Sequence, residues 1–192
     1  IHVGDHLVLQ PKSLEVRVRE LRANDVMVKS AAAGQRVALC LAGKVELGDI
    51  DRGNCLVEPS LDQLSHRLDV QLSLLSDAPT ALKHLSPAKL YIGAGRVSAK
   101  VALIENAISS LAPGQTKMAQ LILDSPISAY SGERFVLRDD SESFHLGGGV
   151  ILDPNGPQYG KAKPERLTWL SALATGSTDT ALQDLLASDR TI

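Results

Sequence analysis

The residues best placed to do chemistry are cations. From Ala78 to Ile104 there is no Asp or Glu, while Lys83, His84, Lys89, Arg96 and Lys100 are all present. Acids resume at Glu105 and crowd into Asp139, Asp140 and Glu142. A local basic stripe can capture phosphates even on a mildly acidic protein. The bland alternative is a solvated strand face that lacks acids, and the residues alone leave both open. Net charge is −2, which argues against indiscriminate attachment to nucleic acid. Aromatics at 3% are too few for a base-stacking face.

Other chemistries fail on spacing. No Gly-x-x-x-x-Gly-Lys-Ser/Thr loop occurs, so the chain itself has no nucleotide-phosphate cradle of that kind. Gly93-x-Gly95 reads as a strand-joining turn. His2 and His6 have only Asp5 beside them, which is not a metal-ligand set. His145 with Asp139, Asp140 and Ser141 suggests a hydrolase, but there is no Gly-x-Ser-x-Gly elbow and a hairpin tip is too wet to shift a pKa usefully. No catalytic residue, metal or cofactor is therefore assigned to the chain.

The elements that must position the cations are strands. Leu14, Val16, Val18 and Leu21 alternate with charged residues, and Val3–Leu9, Asp25–Lys29, Arg36–Leu41 and Cys55–Val57 add short runs with Gly-rich turns between them. After a polar connector from Pro59 to Arg67 the pattern repeats over Leu68–Leu75, Ala88–Ile92, Arg96–Ile104, Lys117–Leu123, Glu133–Leu137 and Phe144–Leu152. Gly147, Gly148 and Gly149 suggest close strand packing or a bulge. Lys163-Pro164-Glu165 suits a helix start, Leu167, Leu170, Leu173 and Ala174 share one helical face, and Gly176 fits as its stop. A second helix is predicted over Asp179–Ala187. The fold class is thus mainly β: two consecutive antiparallel β-barrels, 1–60 and 61–154, followed by two short α-helices in 155–192. Cys40 and Cys55 lie in apolar runs and are expected to be buried reduced thiols, which favours the cytoplasm. No apolar stretch reaches the ~18 residues of a membrane span.

A Gly-Asp turn entering a strand, then AGQRVAL, IDRG, and GERFVLRD followed by Gly147-Gly148-Gly149-Val150, together resemble barrel domains two and three of the elongation factor Tu class. The hairpin LRDDSESFHLGGGVILDP and the string from Gly160 to Leu170 are most similar to the bacterial selenocysteine-specific elongation factor (SelB) family, whose winged-helix region would begin there. The resemblance implies a non-catalytic piece of a GTPase that delivers selenocysteyl-tRNA to the ribosome at UGA codons. GTP and Mg would belong to a G domain outside this sequence, the opening strands of domain two would also lie outside it, and an mRNA hairpin would bind the winged-helix region.

By the same resemblance Lys89 and Ser98 match positions that meet the tRNA T-stem, with Arg96 and Lys100 beside them. The Arg138–His145 hairpin matches a second contact element, which would work through backbone N–H groups, Ser141 or Ser143; alternatively Asp139 and Asp140 simply hold the turn by local hydrogen bonds. Arg36, Arg134 and Arg138 are candidates for rim or interdomain contacts. The alternative is a structural barrel pair of another translational-type GTPase, such as a sulfate-activation subunit, with protein partners only.

Overall fold

The structure is a computed structural model. It describes residues 1–104 and 109–176, and the chain divides into two compact units, Ile1–Leu64 and Ser65–Ile192.

The first unit is a five-stranded antiparallel sheet of β1 (His6–Gln10), β2 (Leu14–Ala23), β3 (Val26–Val28), β4 (Val37–Gly43) and β5 (Cys55–Val57). Strand β2 organises it, pairing with β1 and β3 along one edge and with β4 along the other. Its buried residues are Val16, Val18 and Leu21, so the period of two slips by one residue after Val18. The β2–β4 ladder shifts register between Val18 and Glu20, and this irregularity returns Leu21 to the core side. Asn24 and Asp25 both have positive φ, 49° and 63°, as the tight two-residue hairpin joining Ala23 to Val26 requires.

Two expectations fail here. The first unit is not a closed barrel: β5 ends one edge of the sheet and β4 the other, with no strand pairing between them. Closure needs a continuous staggered ladder, and β3 and β5, three residues each, supply too little of one. Cys40 and Cys55 are exposed, not buried. Partly covered and open residues alternate along most of β4, with Cys40 on the open side, and Cys55 is the exposed first residue of β5.

The second unit contains the closed barrel, with strand order β11-β6-β13-β12-β8-β9. Its strands are β6 (Ser65–Leu74), β8 (Ser86–Ile92), β9 (Gly95–Leu103), β11 (Thr116–Ile127), β12 (Arg134–Asp139) and β13 (His145–Asp153). A side ribbon pairs β7 (Leu82–Lys83) with β10 (Ser110–Leu111), two residues each and too short to show in a periodicity. Inward-facing Leu68, Val70, Leu72, Leu90, Val101, Leu121, Leu137 and Ile151 fill the barrel and are fully buried. The triple glycine lets β13 lie against its neighbours. A Cβ on Gly149 would sit 1.8 Å from the Gln71 carbonyl oxygen, and one on Gly147 2.1 Å from that of Ser73.

One helix, α1 (Pro164–Ala174), follows, with proline in its first turn and Gly176 at φ +75° beyond its end. Leu170 is fully buried with Ile104 and Leu152, and Leu167, Trp169 and Leu173 pack around them. Polar groups secure the helix as well. Arg166 donates through Nε (3.1 Å) and Nη2 (2.5 Å) to Asp69, which is completely buried, and through Nη2 to Asp153 at 2.5 Å. The same guanidinium lies 4.4 Å from the Trp169 ring centroid. The second predicted helix, Asp179–Ala187, lies outside the described residues, so one α-helix is seen among them.

Candidate functional site

On β8, β9 and β12 every second side chain points away from the barrel core. Buried Ala88, Leu90, Val97, Ala99, Phe135 and Leu137 face inward. Lys89, Tyr91, Arg96, Ser98, Lys100, Arg134 and Arg138 therefore share the outer wall, half-buried or exposed. Pairing aligns them in rows: Arg138 beside Lys89 beside Ser98, then Val136 beside Tyr91 beside Arg96, with Lys100 opposite Pro87. Four residues spread over twelve positions of sequence, Lys89, Arg96, Ser98 and Lys100, thus converge on one stiff face. Arg36 is exposed in the first unit, just before β4.

The wall is not bare. Lys89 Nζ donates to Ser98 Oγ at 2.7 Å and pairs with Asp140 at 3.2 Å. Arg96 pairs with Glu142 at 2.8 Å, and the Tyr91 hydroxyl donates to the other oxygen of the same carboxylate. Arg138 donates to the Glu142 main-chain carbonyl. The tip of the β12–β13 hairpin, residues 140–144, is thus folded back onto the cations.

Its conformation has local causes. The Asp139 carboxylate accepts from the Ser141 hydroxyl and from the Phe144 N–H at 2.5 Å, and Ser141 Oγ lies 3.0 Å from Ser143 Oγ. Glu142 takes the left-handed φ of +58°. The two serines are therefore engaged in the turn. Asp139 is the turn-holder, whereas Asp140 points to Lys89.

These bonds move the carboxyls. The Tyr91 hydrogen bond, and after it the charge of Arg96, hold Glu142 below the usual glutamate range. The Ser141 hydroxyl and then the Phe144 N–H lower Asp139. Tyr91 is the residue that sequence reasoning overlooks. The signal was its position two residues from Lys89 on the same strand. Among the described residues no cluster of three or more His, Cys, Asp or Glu could hold a metal ion. Asp5 is used in a turn, accepting from the His2 N–H at 2.7 Å. No helix among them is long and apolar enough to cross a membrane.

A closed antiparallel barrel preceded in the chain by a smaller β unit is the fold expected of translation-factor barrel domains. Residues 65–158 match the family described as selenocysteine-specific elongation factor, beta-barrel domain. The selenocysteine-specific elongation factor of Escherichia coli (strain K12) is 34% identical over 179 residues, covering 93% of this chain and 27% of that protein. The sulfate adenylyltransferase subunit 1 of Chromobacterium violaceum is 34% identical over 93 residues, 47% of this chain and 18% of that protein. The crystal structure of the bacterial selenocysteine-specific elongation factor EF-Sec superposes with a TM-score of 0.74 over 96% of this chain and 28% of the other. At 24% identity that likeness shows the fold. Residues 65–158 thus carry the β-barrel domain of the selenocysteine-specific elongation factor family, and the chain is similar to a fragment of such a factor. It spans about a quarter of the length of the selenocysteine-specific relatives it matches.

Proposed function

We propose that the outer wall formed by β12, β8 and β9 holds the ribose-phosphate backbone of a tRNA stem. The chain then acts as the tRNA-binding barrel part of a cytoplasmic factor that delivers selenocysteyl-tRNA to the ribosome at UGA codons, driven by GTP. In that factor a G domain would bind GTP and Mg and dock against the barrels, with Arg36, Arg134 and Arg138 as rim contacts, and a winged-helix region would take the mRNA hairpin. One observation carries the reading: Lys89, Arg96, Ser98, Lys100 and Arg138 share one face of a closed sheet. A-form RNA is recognised across its minor groove through shape, 2′-hydroxyls and phosphates, which calls for short donors and long cations on a rigid wall and does not need aromatics. Ser141 and Ser143 would add hydroxyls from the hairpin.

The test is filter binding of tRNA across a salt series. Each phosphate neutralised contributes about one unit to the slope of log K against log salt, so Lys89→Ala and Arg96→Ala should each flatten it by roughly that amount. Unchanged slopes would refute the wall.

A second reading is a barrel pair with protein partners only. It is favoured by the likeness to sulfate adenylyltransferase subunit 1 and by the carboxylates already seated on the cations. Gel shifts separate the two readings, because a protein-only barrel retards neither tRNA nor a DNA duplex.

A further inference from the structure

We propose that Asp140 and Glu142 form a built-in anion gate on the basic wall, occupying Lys89 and Arg96 in the free protein, so that only a partner able to displace both carboxylates together gains the site. This rests on the proposed tRNA reading and makes the two acids set the affinity that a nucleic acid must bring to occupy the wall.

The contacts are those of a clamp that is well aimed and weak. Lys89 and Arg96 lie in neighbouring rows of the wall, and the hairpin tip delivers one carboxylate to each, at 3.2 and 2.8 Å. The Asp140 side chain is 58% exposed and that of Arg96 59%, against 24% for Lys89 and 26% for Glu142, so each pair has one partner in water and can be exchanged. The tip has its own turn bonds, from Ser141 and Phe144 to Asp139, so it can lift from the wall without unfolding the hairpin. Tyr91 steers the Glu142 carboxylate onto Arg96 by holding its second oxygen.

A lone anion that takes one cation leaves the other acid seated and gains little. A rigid duplex whose phosphates reach both cations together displaces the tip in one step. The apparent affinity of any ligand is its intrinsic affinity reduced by the fraction of molecules with the tip lifted. The gate therefore lowers the apparent affinity of every ligand that needs both cations by the same factor, so that loose attachment becomes negligible while a well-fitted stem still binds.

The experiment compares the unaltered chain with Asp140→Asn/Glu142→Gln, titrating tRNA and a DNA duplex of equal length from low to high salt. Asp77→Asn/Glu165→Gln removes the same charge from exposed acids with no recorded pairing to the wall. The gate variant should bind the DNA duplex and tRNA more tightly at low salt by a similar factor, on the order of a fewfold to tenfold, with both gains shrinking as salt screens the clamp. In a Lys89→Ala/Arg96→Ala background the gain should vanish. A gain no larger than that of the control pair overturns the gate while leaving the tRNA reading in place. Weaker tRNA binding by the gate variant also overturns it, because the acids would then contact the ligand directly. Binding of neither nucleic acid by any variant removes the tRNA reading and the gate with it.

Discussion

Removing the Arg166 side chain should separate α1 from the barrel more than its surface position suggests. Asp69 is fully buried and accepts from Arg166 twice and from Gln120 Nε2 at 2.8 Å. In Arg166→Ala that carboxylate keeps only the Gln120 amide. Stranding one partner of a buried ion pair costs about 3–5 kcal/mol. The Arg166 side chain is 19% exposed, so water can reach part of the gap and the lower end of that range applies. Loss of the stack on Trp169 adds about 0.5–1 kcal/mol. The expected destabilisation is therefore about 3–4 kcal/mol, measured by urea unfolding.

Trp169 is the only tryptophan of the chain, so its fluorescence reports the docking of α1 directly. Exposure of Trp169 should precede loss of the barrel's far-ultraviolet signal. Asp69→Asn in the same chain removes the stranded charge and should recover about half the cost, because most of the penalty belongs to an unpaired carboxylate and not to the missing attraction. A loss below about 1 kcal/mol, or a double variant no better than Arg166→Ala, would refute this account of the joint.

Gly149→Ala should prevent stable folding or cost about 3 kcal/mol or more, because its Cβ would lie 1.8 Å from the Gln71 carbonyl oxygen and β13 would have to part from β6. Gly34→Ala meets no atom within 4 Å and faces only the strain of φ +84°, so its urea midpoint should move far less. Glu133 is pushed up by burial, only partly offset by the Tyr130 N–H, and its Oε2 has no partner. A carboxyl whose folded pKa is raised loses stability as pH climbs from its unfolded value through the folded one. Glu133→Gln should therefore stabilise by a few tenths of a kcal/mol at pH 7 and by nothing near pH 3.5, read as a melting shift at the two pH values.

What the sequence makes legible depends on whether a signal is local. Alternation in Leu14–Leu21 and Leu68–Leu75 places β2 and β6, and Pro164 and Gly176 bracket α1, because strand period and helix caps are written within a few residues. The phase slip at Val18 is also visible as a break in parity, though only pairing with β4 gives it a cause. Closure is not local. Whether five short strands curl round to meet or remain an open sheet depends on ladder length between distant segments, and β3 and β5 turned out too short.

The same distinction governs the candidate site. The acid-free run from Ala78 to Ile104 marks a basic stripe, and its strand register brings Lys89, Arg96, Ser98 and Lys100 to one face. Along the chain, Asp140 and Glu142 are more than forty residues from Lys89 and Arg96, so they look like a separate acidic patch. Antiparallel pairing of β12 with β8 sets Arg138 beside Lys89, and the turn beyond Asp139 folds over the cations. Opposite charges that a linear reading keeps apart are made neighbours by register. The wall's potential is therefore set by the docking of a short hairpin tip and not by composition.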